Sequence, residues 1–285
     1  MPDLVPDILF HYTSQNGLLG ILRTKKIWAT DLLYLNDASE FNHAIRIAQD
    51  QLDKLRKSLQ GGDLHLLNRI ADLLTLSHNR HIYTASFSED GNALRQWKLY
   101  GSNYRGFSIG FSRLDLEIHG GKSSSFLQKC TYDEQEQSKI IHSMLEPHLQ
   151  GFRDTMSNPN RASDNLQAII DHYAEWFYGD LMVIASALKN SSFEAEREWR
   201  LVRHDYGANH NEVEFRESSF TLIPYKNIKL PESESGLSLK KIFTGPTLDP
   251  ELTRRSLELL LSKYEIDSTQ VEIVPSGIPI RDSSP

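Results

Sequence analysis

The sequence predicts a single α+β domain spanning residues 1–285, and two observations carry that reading. Short β-prone runs with period-two alternation are scattered along the whole chain, as in Phe107, Ile109 and Phe111. Long stretches of helical spacing interrupt them. The longest runs from about 163 to 190, where Leu166, Ile169, Ile170, Tyr173, Phe177, Leu181, Ile184 and Leu188 recur on one face. No Walker or dinucleotide glycine fingerprint follows a strand, so a Rossmann-type site is not expected.

Taken in order, Ile8 to Tyr12 is the first strand, and Thr13-Ser14 caps a helix through Leu18, Leu19, Ile21 and Leu22. Lys26 to Thr30 is a second strand. Asn36-Asp37-Ala38-Ser39 is a turn capping a helix from about 40 to 59, and Gly61-Gly62 separates it from another over 64–78. Ile82 to Ser88 is β-like, a short helix carries Trp97 and Tyr100, and Gly106 to Phe111 is a half-buried strand. Gly120 to Ser125 reads as a loop. Further strands are expected at 127–132, 199–203, 220–223, 241–244 and 271–274, with a helix at 250–264. Helical insertions occupy about 38–80 and 134–190, and no linker divides the chain.

Hydrophobic residues make up 39% of the chain, which excludes disorder for its bulk, and a net charge of −7 excludes an overall basic field. A locally basic groove stays open. The single cysteine, Cys130, excludes a disulfide framework and a multi-cysteine zinc site and points to a reducing compartment, so a cytoplasmic location is expected. The first residues lack a signal peptide's pattern, and no run reaches the roughly 18 apolar residues of a spanning helix. No membrane partner is expected.

Several motifs invite chemistry. Gly106-Phe-Ser108-Ile-Gly110 matches the G-x-S-x-G string of serine hydrolases, but the alternation around Ser108 continues a strand instead of forming a strained turn, and no apolar helix is expected after it. Glu40-Phe-Asn-His43 has the spacing of carboxylate-bridged metal sites. It lacks the second pair such sites need, so Asp37 and Glu40 read better as acids at a helix N-terminus, and no metal is expected. His78 and His81 lack a third ligand. Glu194, Glu196 and Glu198 alternate ahead of Trp199-Arg200-Leu201-Val202; in extended chain Glu196 and Glu198 point the same way and need neutralising, for which Arg197 and Arg200 are near. An edge salt-bridge ladder and a catalytic carboxylate that stabilises an oxocarbenium-like centre both fit that pattern.

Phe10-His-Tyr-Thr-Ser14, Leu35-Asn-Asp-Ala-Ser-Glu-Phe41, Ser86-Phe-Ser-Glu89, Gln96-Trp-Lys-Leu-Tyr100, Gly106 to Phe111, Lys189 to Val202 and Ile242-Phe-Thr-Gly-Pro246 together resemble the bacterial domain family DUF2971, of unknown function. More distantly, three of these blocks resemble ADP-ribosyltransferases. His11 ends the first strand ahead of a helix, Ser86-Phe87-Ser88 stands for a Ser-Thr-Ser strand, and Glu196-Arg197-Glu198 for a late Glu-x-Glu. The chain departs from that pattern at Lys25-Lys26, where a glycine is usual, and at Phe87.

The transferase resemblance implies a split, mostly antiparallel sheet and NAD as substrate, with cleavage of the nicotinamide–ribose bond. ADP-ribose would pass to protein, nucleic acid or water, in the setting of a toxin or a phage-defence effector. His11 would bind ribose, Thr13 the nicotinamide scaffold, with Ser86 and Ser88 beside them, and Tyr12 or Tyr100 would stack on the nicotinamide. Glu198 would stabilise the developing positive charge and Glu196 would serve the acceptor, with Arg200 alongside. This reading requires His11, Ser86 and Glu198 to meet in one cleft on one side of the sheet. The competing reading is a non-enzymatic ligand- or protein-binding module on a degenerate transferase frame, with Asn36, Asp37, Glu40, Trp97 and Tyr100 forming a recognition pocket.

Overall fold

The computed structural model describes residues 5–35, 39–75, 81–102, 104–122, 125–158, 165–204, 210–218, 221–234, 236–246 and 249–279. The strands are β1 (Ile8–Thr13), β2 (Lys26–Asp31), β3 (Ile82–Ser88), β4 (Phe107–Ser112), β5 (Ser125–Lys129), β6 (Glu198–His204), β7 (Glu214–Glu217), β8 (Leu222–Lys229), β9 (Glu232–Ser233), β10 (Gly236–Leu237), β11 (Leu239–Thr244) and β12 (Glu272–Pro275). The helices are α1 (Gln15–Thr24), α2 (Ser39–Arg56), α3 (Gly61–Thr75), α4 (Leu94–Leu99), α5 (Arg113–Lys122), α6 (Glu134–Met156), α7 (Leu166–Ala185) and α8 (Pro250–Lys263). The architecture is mixed α+β with an open, mostly antiparallel sheet; β11 and β12 run parallel.

Strand β3 is the hub. Strand β6 takes all of one edge, from Ile82↔His204 to Ser88↔Glu198, and β5 continues beyond it. The opposite edge is shared: β2 pairs with Tyr83 and Thr84, whereas β1 pairs at Ser88. Two wings therefore fork from β3, one running β1-β4-β11-β12 and the other β2-β8-β7. Helix α1 joins β1 to β2 across the fork. Its N-cap is Ser14, whose Oγ accepts the Gly17 N–H at 3.1 Å, as the Thr13-Ser14 reading expects. Ser14→Ala is expected to cost about 1 kcal/mol, measured by urea denaturation.

Strand alternation assigns the two faces. Leu9, Ala85, Phe87, Ile109, Phe111, Trp199 and Leu201 join Leu18, Leu22, Leu116 and Leu257 in one core under α1, α5 and α8. Ile82 and Val202 face the other way, into a second core built by α2, α3, α6 and α7. A small aromatic cluster of Phe10, Tyr12 and Trp97 lies on that same second face, beside the helical layer.

Three element boundaries differ from expectation. Helix α5 follows β4 directly and carries Gly120 inside it, because Leu116 finds an apolar socket that no local pattern announces. Strand β5 starts at Ser125, two residues before the run expected at 127–132, because its register against β6 runs from Arg203 to Trp199. Strand β8 extends to Lys229, where the sequence suggested a strand ending at 223. Pro224, Lys226 and Ile228 are its buried face, so a lysine and a proline hid a regular alternation.

Candidate functional site

The candidate site is the junction of β1, β3 and β6. Strand β6 opens at Glu198, and the chain reaches it through a 3-10 helix, Ser191–Glu196, that ends on Arg197 in the left-handed conformation (φ 45°). Glu196 is thus not in extended chain, contrary to expectation. The reversal at Arg197 still brings both carboxylates to one cation, Lys189, whose Nζ lies 2.8 Å from Glu196 Oε2 and 2.7 Å from Glu198 Oε2.

Lys189 is delivered by the end of α7. Helix α7 stops at Ala185, and the following residues bind Thr131: its N–H donates to the Ala187 carbonyl at 2.8 Å, and the Lys189 N–H donates to its carbonyl at 3.0 Å. The buried Gln137 amide on α6 fastens the same segment, donating to the carbonyls of Thr131 at 2.5 Å and Lys189 at 2.7 Å. Its own oxygen lies 2.9 Å from Nε2 of His43, which ties α2 to α6; no metal-binding cluster of three ligands occurs among the described residues.

Arg200, two residues along β6 and on the same face as Glu198, completes the network. Its Nε and Nη2 donate to the two oxygens of Glu198 at 2.8 and 3.1 Å, and its Nη1 to the Ser186 carbonyl at 2.7 Å. Lys189, Glu196, Glu198 and Arg200 are all at most 5% exposed. Burial pushes the Glu198 carboxyl up, but the charges and hydrogen bonds of Arg200 and Lys189 outweigh it and hold the group down to about 2. Tyr132 accepts the Glu198 N–H at 2.8 Å, and burial raises its phenol. The Cys130 Sγ stands 3.8 Å from Glu198 Oε2. Phe193 of the 3-10 helix covers the network, with Lys189 Nζ 4.9 Å and the Arg95 guanidinium 5.8 Å from its ring centre.

Of the two arginines expected to neutralise the acidic pair, Arg200 does so and Arg197 does not. Arg197 pairs instead with Glu89, its Nε 2.9 Å from Oε2; Lys129 and the Trp199 indole hold the other oxygen of Glu89, each at 3.0 Å. Those bonds overcome burial and lower the Glu89 carboxyl below its ordinary value. Lys189 and Glu89 were not legible as a site: Lys189 meets Glu196 and Glu198 only through the reversal at Arg197, and the partners of Glu89, Lys129 and Arg197, are distant in sequence.

His11, Ser86 and Glu198 lie on adjacent strands but do not form one cleft. Phe10 pairs with Ser88 and Ser88 with Glu198, so these three share a face; His11 stands on the other, 5.8 Å from the ring of Phe87. It sits at the fork, where β1 leaves β3, and its Nδ1–H donates to the Ser86 carbonyl at 2.9 Å. Burial lowers its pKa, a shift the Ser86 bond only partly opposes, so the ring is neutral near pH 7.

The remaining residues are dispersed. Tyr12 is 7% exposed, packs edge-on to Trp97 at 5.1 Å, donates to the Asp90 carbonyl and accepts the Ala93 N–H, each at 2.8 Å; that leaves its ring no free face for a nicotinamide. Thr13 is buried on the His11 face. Ser88 Oγ donates to the Glu196 carbonyl at 2.8 Å, which ties the 3-10 helix to β3, and Ser86 is half-buried opposite Arg200. Trp97 is fully buried and donates to Asn92 Oδ1 at 2.9 Å, so it supports a surface instead of lining a pocket, whereas Tyr100 is 38% exposed. Asn36 and Asp37 lie outside the described residues, as does the side chain of Glu40. Ser108 is fully buried in mid-strand, opposite Tyr12 and Phe243; although α5 follows β4, Ser108 occupies no strand-to-helix turn.

No helix of the described residues is long and apolar enough to cross a membrane. No curated protein and no solved structure matches the chain. Residues 96–201, from α4 through the buried charge network to β6, match a family described as a protein of unknown function, DUF2971.

Proposed function

We propose that the chain is a non-enzymatic binding module on a transferase-like forked sheet, with the Lys189–Glu196–Glu198–Arg200 network as a structural clamp. The observation that supports this is the state of Glu198: both its oxygens are taken by Lys189 and Arg200 at 5% exposure. A carboxylate so neutralised contributes little field to a developing oxocarbenium ion. The clamp holds the 3-10 helix and α4 in place. Beside it, Leu94, Leu99 and Tyr100 are exposed with Arg95 and Lys98 among them, which is the apolar and basic character of a recognition surface.

The transferase is the second reading, favoured by the β1-β3-β6 strand order and by Ser88 standing opposite Glu198. Against it stands its own requirement that His11 and Glu198 share a cleft, since His11 lies on the other face of the sheet; the 3-10 helix would also have to withdraw Phe193 and Glu196 before NAD could reach Glu198. Nicotinamide release from NAD separates the two readings. The binding module predicts no release above the blank from the wild type, and a loss of stability with no loss of turnover in Glu198→Gln. Release by the wild type, reduced about a hundredfold to a thousandfold in a folded Glu198→Gln variant, would establish the enzyme instead. Under that outcome Glu196→Gln should lose transfer and keep hydrolysis to free ADP-ribose.

A further inference from the structure

Where β2 and β8 pair, the wing they form with β7 has one buried face and one open one; beyond it, Phe215 of β7 and Leu222 at the start of β8 are exposed on the former face. Along β8, Pro224, Lys226, Ile228 and Leu230 are buried, while Ile223, Tyr225 and Asn227 are half-buried and Lys229 is exposed. Ile27 and Ala29 of β2 likewise enter the core under α1, so Lys26, Trp28 and Thr30 take the opposite face, with Trp28 exposed, Lys26 half-buried and Thr30 buried. The register places Lys26 opposite Lys229 and Thr30 opposite Tyr225, with Arg216 of β7 opposite Ile223. All of these share the open face.

We propose that this open face is a stacking platform for single-stranded nucleic acid. Trp28 is 49% exposed and its ring lies against Tyr225, centroids 4.7 Å apart and the planes tilted by 36°, so the indole is held with a face on which a base can stack. Cations bracket the ledge. Lys26 and Lys229 stand at one end and make no ion pair among the described residues; Arg216 stands at the other.

Arg216 is the strongest single feature. It is half-buried, its Nη2 donates to Thr30 Oγ1 at 3.2 Å, and its buried Nε has no partner among the described residues. Burial lowers its pKa, and only Tyr225 opposes that shift; no carboxylate does. Directly across from Thr30, the hydroxyl of Thr84 is also without a partner among the described residues, in a residue 2% exposed. A partly buried guanidinium with an unpartnered Nε and a hydroxyl on its Nη2 is suited to a phosphate. Among the described residues of β2, β7 and β8, Glu214 is the acid on this face, opposite Tyr225, and no ion pair joins it to Arg216. From Lys26 to Thr30 the face runs about 13 Å, longer than one stacked base. The face is therefore basic and aromatic on a chain of net charge −7, so the attraction is local and sensitive to salt.

Fluorescence anisotropy with a labelled oligothymidylate about a dozen nucleotides long tests this on the full chain. Binding is expected at low salt, with log Kd rising with log salt at a slope of about 2, as three cations neutralising phosphates require. Trp28→Ala should weaken it about tenfold to a hundredfold and Trp28→Phe far less, because stacking survives a smaller ring. Arg216→Gln should lower the salt slope by about 0.7. Trp176→Ala, at an exposed tryptophan on α7, is the control and should bind like the wild type. Circular dichroism verifies that each variant is folded. Several results would overturn the proposal: no binding by the wild type, equal effects of Trp28→Ala and Trp176→Ala, equal competition by a duplex of the same length, or equal competition by adenosine monophosphate, which would mark a mononucleotide site. None of them bears on the role of Glu198.

Discussion

Replacing Lys189 by methionine is expected to destabilise the protein by about 3–5 kcal/mol, read from urea denaturation, the cost of breaking one partner out of a buried ionic network. Methionine keeps the length of the side chain, so packing against Phe193 largely survives. What is lost is the one cation among the described residues shown to touch both Glu196 and Glu198, leaving two buried carboxylates of which Arg200 is shown to hold only Glu198. Glu198→Gln probes the same network from the other side through pH. The folded-state pKa of Glu198 is depressed from an ordinary 4.5 to about 2, so its contribution is fully present above pH 4.5 and is lost as pH falls from 4.5 through 2. The wild type should therefore lose more stability across that window than Glu198→Gln. Parallel stability-against-pH curves for the two proteins would contradict the ionised, clamped state of Glu198.

Trp97→Ala is expected to cost about 3–5 kcal/mol, since it empties the largest fully buried side chain of the structure. Trp97 packs edge-on against Tyr12 and its indole donates to Asn92, whose amide in turn donates to the Ser276 carbonyl at 2.8 Å. The cavity would thus unsettle β1, the 90–93 turn and the segment after β12 together. A surface tryptophan whose work is recognition would cost well under 1 kcal/mol on removal. Chemical denaturation of the variant distinguishes these, and a loss below 1 kcal/mol would return Trp97 to the ligand-binding role the sequence suggested. Tyr100→Ala, at the exposed end of α4, should leave stability near that of the wild type.

These expectations concern residues whose importance was legible before their roles were. The late Glu-x-Glu, the His-Tyr-Thr-Ser strand end and the Trp97 helix all stand near the junction of β1, β3 and β6. Local pattern could place them there because each opens or closes a strand. It could not say which side of the sheet they take. One residue of offset reverses a side chain's face, and the single pair Phe10↔Ser88 puts His11 opposite to Glu198. Glu196 escaped prediction for a related reason: a left-handed Arg197 turns a period-two pattern into a helix end, and alternation of glutamates does not encode that reversal.

The sequence by itself determined the fold class, most strands, the Ser14 cap and the absence of a dinucleotide loop, because these follow from periodicity and turn chemistry within a few residues. It also marked Glu196, Glu198 and Arg200 as charges needing one another. Only the tertiary structure decided that Lys189, from the end of α7, completes that network and that the result is sealed. The forking of the two wings from one edge of β3 was decided there too, as was the open aromatic face of Trp28 and Tyr225. The fork and the aromatic face depend on contacts between segments far apart in the chain, from about 80 residues between Phe10 and Ser88 to almost 200 between Trp28 and Tyr225, and the Lys189 contacts depend on the reversal at Arg197; no local propensity specifies these.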